Sequence, residues 1–433
     1  MKLRTLIFWP HLIAGVIAGT VILVMSVTGV LLTYERQMVE WSNRDLRSTP
    51  PTAEAQRLPV EEVLAGFARW RPDLTPASVA IGAEVDDPVI VSAGPQSSFY
   101  LDAYTGRVLG EGRTGVRQFL SDVRSWHRWL AYEGESRVTA KLVTGWSNVA
   151  FLFIVLSGFY LWIPRRWTWK HLRPVVLFAS ARGRARDFNW HNVIGLWSVV
   201  PLAIVVASAV PISFQWGNDL VYRAVGEEPP ARRGGGPGEA RAGGEGRRGG
   251  GPGERRRQAG GPERGRAGGN AAAGRADAAA REDAPEGGSS ARPPFAGLDA
   301  LLARATAKEP EWETITARLP ESPRAPLAFA IDRGDGGQPQ LRSTLTLDRS
   351  GRAVSYDTFG DQSLGRRIRS IMRFAHTGEV LGLAGQTVAG LATAGSVVLV
   401  WTGIALALRR LRAWLARRRT RQAVDSMPKS SAA

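Results

Sequence analysis

Four stretches of this chain contain no Asp, Glu, Lys or Arg: residues 5–34, 142–164, 188–218 and 380–408. A helix of about 20 apolar residues crosses a bilayer core of roughly 30 Å, so each stretch is long enough to span one. We therefore expect four transmembrane helices. The first follows Lys2 and Arg4 as a signal peptide would, but its apolar region is too long and no small-residue cleavage site follows it. A retained anchor is expected.

Short, positively charged flanks stay in the cytoplasm. The flanks agree with one another: Lys2 and Arg4; Arg165, Arg166, Lys170, Arg173, Arg182, Arg184 and Arg186; then Arg409, Arg410, Arg412 and Arg417 to Arg419. Both termini and the 165–187 loop are expected inside a bacterial inner (plasma) membrane, with the chain crossing it several times. Regions 35–137 and 219–375 then face the periplasm. The second is rich in arginine, yet long translocated segments largely escape the charge rule. The net charge of +17 falls mostly on the flanks and on one low-complexity insert, which argues against nucleic acid and for contact with membrane lipid. With no cysteine, disulfides, cysteine-ligated clusters and covalently attached haem are all excluded.

The chain repeats itself. HLIAGVIAGTVILVMSVTGVLLTY (11–34) registers without a gap on HNVIGLWSVVPLAIVVASAVPISF (191–214). His11 matches His191, Gly15 matches Gly195, and Thr28-Gly29 matches Ser208-Ala209. LSGFYLWIPRR (156–166) likewise lies against WTGIALALRRL (401–411), each preceded by a histidine, His127 or His376. Between the spans, LPVEEVLAGFARWRP (58–72) and FAGLDALLARATAKEP (295–310) share helical apolar spacing and a terminal proline. Short alternating strands follow both and end in hairpins, SFYLDAYTGRVLG (98–110) and STLTLDRSGRAVSY (343–356). The fold class expected is a membrane protein of four transmembrane α-helices from two parallel repeats, with two α+β periplasmic modules related by a pseudo-twofold axis.

In order, we expect a first span within 1–34, a first module with an interfacial helix over 35–137, and a second span over 138–164. A cytoplasmic loop over 165–187, a third span over 188–214 and a second module over 215–379 follow. A fourth span over 380–408 and a basic cytoplasmic tail over 409–433 complete the chain. The second module contains residues 227–292, dominated by Gly, Arg, Pro and Ala, which bury too little apolar surface to offset chain entropy and are expected to be disordered.

Of the five histidines, four stand at the entrances of the four spans. His11 and His191 begin the first and third on the cytoplasmic side, and His127 and His376 precede the second and fourth on the periplasmic side. His127 shares a helical face with Val116, Leu120, Val123 and Leu130. Any one of the four, beside Trp9, Trp126 or Trp190, reads equally as an interfacial polar residue. Ligating groups near a membrane interior are expensive, however, and four in repeat-equivalent places need a shared reason. Axial ligation of two haem b groups by neutral imidazole, one haem per leaflet, supplies it. Zinc fits less well, since a tetrahedral site gathers three or four ligands and each leaflet offers two histidines. Gly15 and Gly195 would let a flat macrocycle approach the backbone, or serve ordinary helix packing. Arg124, Arg128 and Arg373 are candidates for propionate contact on the periplasmic side, or for headgroup contact. His171, in the basic aromatic run RRWTWKHLRP, reads as a loop or lipid-facing residue.

These features resemble the PepSY-associated transmembrane proteins, which include inner-membrane ferrisiderophore reductases of the FoxB type. The resemblance spans nearly the whole chain except 227–292. It rests on the H-x(3)-G start of the first and third spans, the T-G near the end of the first, and the G-x-Y-L-W-x-P-R-R exit at 158–166. The D-A-Y-T-G and D-R-S-G hairpins look like PepSY modules, and A-H-T-G-E precedes the fourth span. Ser208-Ala209 followed by Pro211, and the Arg-Gly insert, depart from the pattern. The resemblance implies two haems, held by His11, His127, His191 and His376, and reduction of a ferric siderophore or other ferric chelate in the periplasm. No G-x-G-x-x-G follows a strand, so the electron donor is expected to be another cytoplasmic protein or a membrane quinol. The alternatives are a non-redox PepSY binding or regulatory protein and a haem-handling or transport protein. Haem content separates the first from a reductase, and stable redox cycling separates the second.

Overall fold

A computed structural model describes residues 3–425 apart from 53, 95–96, 165, 231–294, 321 and 323. The expected disorder of the insert therefore lies, from residue 231 on, outside the described residues, as does the end of the basic tail from 426.

Four long helices carry the apolar stretches: α1 (Leu3–Leu32), α5 (Ser136–Trp162), α7 (Gly183–Ser213) and α11 (Gly382–Asp425). All four are long and apolar enough to cross a membrane. They extend beyond the uncharged stretches. α7 begins at Gly183 and so takes in Arg184, Arg186 and Asp187, while α11 continues past Leu408 through a run of arginines. Charge ends a membrane span but not a helix, since arginine is a good helix former. Small and polar side chains lie at the bundle centre. Ser26 and Ser396 are buried with their hydroxyls 2.7 Å apart, and the Asn148 amide donates to the Val206 carbonyl at 3.0 Å. A Cβ on Gly145 would stand 2.7 Å from the Phe214 ring, so only glycine lets α5 approach that closely.

The remaining helices are short: α2 (Glu35–Ser42), α3 (Val60–Trp70), α4 (Thr114–Trp129), α6 (Trp169–Val176), α8 (Gln215–Ala224), α9 (Leu298–Lys308) and α10 (Leu364–Thr377). Eight strands complete the fold: β1 (Ser78–Gly82), β2 (Val89–Ser92), β3 (Ser98–Leu101), β4 (Val108–Glu111), β5 (Thr314–Arg318), β6 (Leu327–Asp332), β7 (Arg342–Leu347) and β8 (Ala353–Thr358).

The two periplasmic modules expected from the sequence are joined. All eight strands form one antiparallel sheet in the order β4-β3-β2-β1-β5-β6-β7-β8, with Ser78–Gly82 paired to Arg318–Thr314 at the junction. One hydrophobic core serves both: Val63, Leu64 and Phe67 of α3 and Leu298, Leu301 and Ala305 of α9 pack with Val91, Phe99, Phe329 and Leu345 of the sheet. Separate modules would each expose an edge strand, and pairing β1 with β5 removes both edges. The α3 N-terminus is capped across the junction too, as Asp299 accepts from the amides of Val60 (2.7 Å) and Glu61 (3.1 Å).

The two hairpin motifs work alike. Asp102 accepts the amides of Tyr104 and Thr105 at 2.9 and 2.8 Å, and Asp348 those of Ser350 and Arg352 at 3.0 and 2.9 Å. Gly106 (φ +67) and Gly351 (φ +83) supply the left-handed residue each turn needs.

Candidate functional site

We call the two ends of the bundle the terminal end, where α1 starts and α11 leaves, and the sheet end. His11 lies on α1 and His191 on α7, both toward the terminal end. His127 and His376 lie near the C-termini of α4 and α10, which lead into α5 and α11 at the sheet end. Both leading helices must stop abruptly for the chain to turn back into the bundle. α10 does so at Gly378 (φ +80), where a Cβ would stand 2.5 Å from the Gly385 carbonyl oxygen. That is the structural reason for the glycine of A-H-T-G-E. α4 stops without glycine, at Leu130 (φ 51) and Ala131 (φ 60), both in the left-handed region that side chains resist, and Gly134 (φ +56) follows in the turn to α5.

Every one of the four imidazoles is held through Nδ1. His11 Nδ1 is 2.9 Å from Ser157 Oγ, His127 Nδ1 is 3.0 Å from Thr28 Oγ1, and His191 Nδ1 is 3.0 Å from Thr402 Oγ1. Those three hydroxyls spend their protons elsewhere, on helix carbonyls one turn back: Ser157 on Phe153 (2.6 Å), Thr28 on Val24 (2.6 Å) and Thr402 on Val398 (2.8 Å). Each can therefore only accept from its histidine. His376 Nδ1 faces the Val205 carbonyl at 2.8 Å, which again can only accept. All four rings thus carry their proton on Nδ1 and keep the lone pair on Nε2, the tautomer a metal ligand needs.

The small-glycine pairs of the sequence repeat are the seats of these rings. A Cβ on Gly29, Gly158 or Gly403 would lie 3.4, 3.2 or 3.5 Å from Cε1 of His127, His11 or His191. The fourth pair, Ser208-Ala209, departs from the pattern, and so does its histidine: Ser208 donates to the same Val205 carbonyl that holds His376. Gly15 and Gly195, read from sequence as the glycines beside the ligands, are not pressed by protein. A Cβ on Gly15 would meet nothing within 4 Å, and one on Gly195 only Leu399 at 3.7 Å.

Hydrogen bonds run within each half of the chain, whereas the histidines meet between halves. The His127 and His376 rings are 6.2 Å apart, centre to centre, at 53°. That spacing leaves room for one metal ion at about 2 Å from a nitrogen of each ring. His11 and His191 also lie within electrostatic reach of one another. Burial, and then the neighbouring His376, lower the His127 pKa to about 4, and burial lowers that of His376. At neutral pH both rings are uncharged.

The sheet-side pair opens on a cavity of about 230 Å³. Its walls are mainly apolar, with Ile22, Met25, Phe151, Leu202 and Val206; Ser26, Asn148 and Ser396 add polar atoms, and Glu35 and Arg124 also line it. Of the three arginines considered for propionates, Arg124 alone lines this cavity, where it is ion-paired to Glu35. Arg128 lies over Trp129 at 4.8 Å and Arg373 over Phe374 at 5.4 Å. Arg128 lies within electrostatic reach of both of the other arginines. Burial and then Arg124 draw the Arg128 pKa down; burial draws down that of Arg373, with Glu379 opposing and Arg128 adding.

His171 stays apart, exposed on α6 with Nδ1 2.6 Å from Thr168 Oγ1. Among the described residues, the one grouping of three or more ligand types with metal-site spacing is Glu84, Asp86 and Asp87, and it contains no histidine. The residues that sequence reasoning missed are the acceptors Thr28, Ser157 and Thr402. Their signal was present in the repeated small-glycine pairs, without a role attached.

The family of PepSY-associated TM regions matches residues 8–410. The chain belongs to this family. No curated protein is significantly similar to it. Family membership and the four apolar helices together make it a membrane protein.

Proposed function

We propose that this PepSY-associated protein is a di-haem electron-transfer protein that reduces a ferric siderophore, or another ferric chelate, to release its iron. It sits in a bacterial inner membrane with both termini cytoplasmic and the sheet periplasmic, and its halves are two copies of one span-module-span unit. The matching element order on either side of the β1–β5 junction supports the duplication. The observation that carries the function is the set of four imidazoles pinned through Nδ1 and arranged as two pairs, one toward each end of the bundle.

The residues fit haem b. His11 with His191, and His127 with His376, would hold the two groups through Nε2, and the apolar walls of the sheet-side cavity would accommodate one of them. Arg124, Arg128 and Arg373 would face its carboxylates on the periplasmic side. Bound haem supplies one-electron chemistry at each end of the bundle. The chain itself holds the rings in one tautomer and sets Arg124 in the lining of the sheet-side cavity. One electron from a reduced cytoplasmic protein or a membrane quinol converts one ferric ion to ferrous, which hard oxygen chelators hold less tightly. A FoxB-type ferrisiderophore reductase works at this level of description.

The test is the reduced-minus-oxidised spectrum and haem stoichiometry of the detergent-purified protein with its His11→Ala and His376→Ala variants. Two low-spin b-type haems, one lost in each variant, are expected. Protein that stays haem-free after haem-supplemented expression would overturn the reading in favour of a PepSY binding protein.

A further inference from the structure

Asp187 is a carboxylate placed within the third apolar helix, and it is only 2 % exposed. Its Oδ1 accepts from Arg186 Nε and Nη2 at 3.1 and 3.0 Å, and its Oδ2 from Arg409 Nη2 at 2.8 Å. A buried ionised group at a membrane boundary is costly, so its place calls for a role.

The position supplies one. Asp187 lies four residues before His191 on α7, about one helical turn; Arg409 lies seven residues after Thr402 on α11, about two turns. Residues at these spacings share a helix face. The ion pair and the His191–Thr402 hydrogen bond therefore join the same faces of the same two helices. Two polar contacts at different heights oppose both sliding and rolling of α7 against α11. The other half is tied differently: Arg4 donates to the carbonyls of Leu161 and, at 2.8 Å, Ile163, with no carboxylate involved. The residue equivalent to Asp187 in α1 is Ile7.

We infer that Asp187 is a positioning residue for the terminal-end histidine pair: with Arg409 it sets the register of His191 on Thr402, and its charge fixes the reduction potential at that pair. This rests on the di-haem reading. A ferric site carries one more positive charge than a ferrous one, so removing a nearby anion favours the ferrous state and removing a nearby cation favours the ferric state.

The experiment is a potentiometric titration of both haems in the full-length protein and in Asp187→Asn, Asp187→Glu and Arg409→Gln, with His11→Ala identifying the sheet-side potential. Asp187→Asn should raise the terminal-end potential by about tenfold in the one-electron equilibrium, ~59 mV. Arg409→Gln should lower it, Asp187→Glu should leave it near wild type, and the sheet-side potential should not move. Shifts of the same sign in Asn and Gln variants, equal shifts at both haems, or no shift would overturn the inference. If Asp187→Asn fails to accumulate, the sign of the Arg409→Gln shift decides alone. Wild-type protein without haem would instead sink the di-haem reading and this inference with it.

Discussion

The two histidine pairs solve one problem with different parts. At the terminal end both imidazoles ride on the long apolar helices α1 and α7, and both rest on a hydroxyl-glycine pair, Ser157-Gly158 and Thr402-Gly403. At the sheet end both ride on separate amphipathic helices, and only His127 rests on such a pair, Thr28-Gly29; His376 is held by a backbone carbonyl. A spanning helix is oriented by the membrane and its neighbours, so its histidine needs only an acceptor. A leading helix must also be stopped and turned, which is why the sheet end carries the positive-φ residues Leu130, Ala131 and Gly378. The side chain that holds a ring can be exchanged for backbone without losing the tautomer, because a carbonyl can only accept.

The largest effect that would break this comparison is expected from bulk under a ring. Gly158→Leu places atoms where Cβ alone would already lie 3.2 Å from His11, so on the proposed di-haem reading the terminal-end haem should be lost from the spectrum while the sheet-side haem stays. Next comes the acceptor itself. Thr28→Val should weaken haem retention at the sheet end about 10- to 100-fold in a haem-transfer assay, the usual cost of removing the partner of a ligating histidine. Unchanged retention would mean that Thr28 plays no part in holding the ligand.

A smaller effect sharpens the contrast between the turns. Ala131→Gly relieves a left-handed residue and should stabilise the protein by roughly 1 kcal/mol in thermal unfolding, whereas Gly378→Ala should destabilise it. The smallest effect is the most diagnostic. Ser208→Ala removes the repeat-equivalent of Thr28, yet His376 keeps its carbonyl partner, so haem retention should stay within about twofold of wild type. A loss as large as that of Thr28→Val would show that the two seats are equivalent after all.

Much of this was legible in the sequence. The four long apolar helices are visible because bilayer hydrocarbon excludes charge over a known length. The four histidines stand out because they occupy matched places in two aligned segments. Asp187 was passed over because it sits just outside an uncharged stretch, among arginines that read as a topological flank. The union of the two modules was equally hidden, since strand pairing across more than 200 residues leaves no local pattern: Ser78 meets Arg318 only once the chain has folded.

The sequence by itself determined which segments are apolar, that residues 11–34 and 191–214 align without a gap, and which five imidazoles exist. Those properties are local or periodic, and hydropathy and register express them directly. Tertiary structure alone decided that the modules share one sheet, that Thr28, Ser157 and Thr402 accept from histidines of other helices, and that Asp187 meets Arg409. Such contacts join residues far apart in the chain. Their energy depends on distance and donor direction, which no linear pattern encodes.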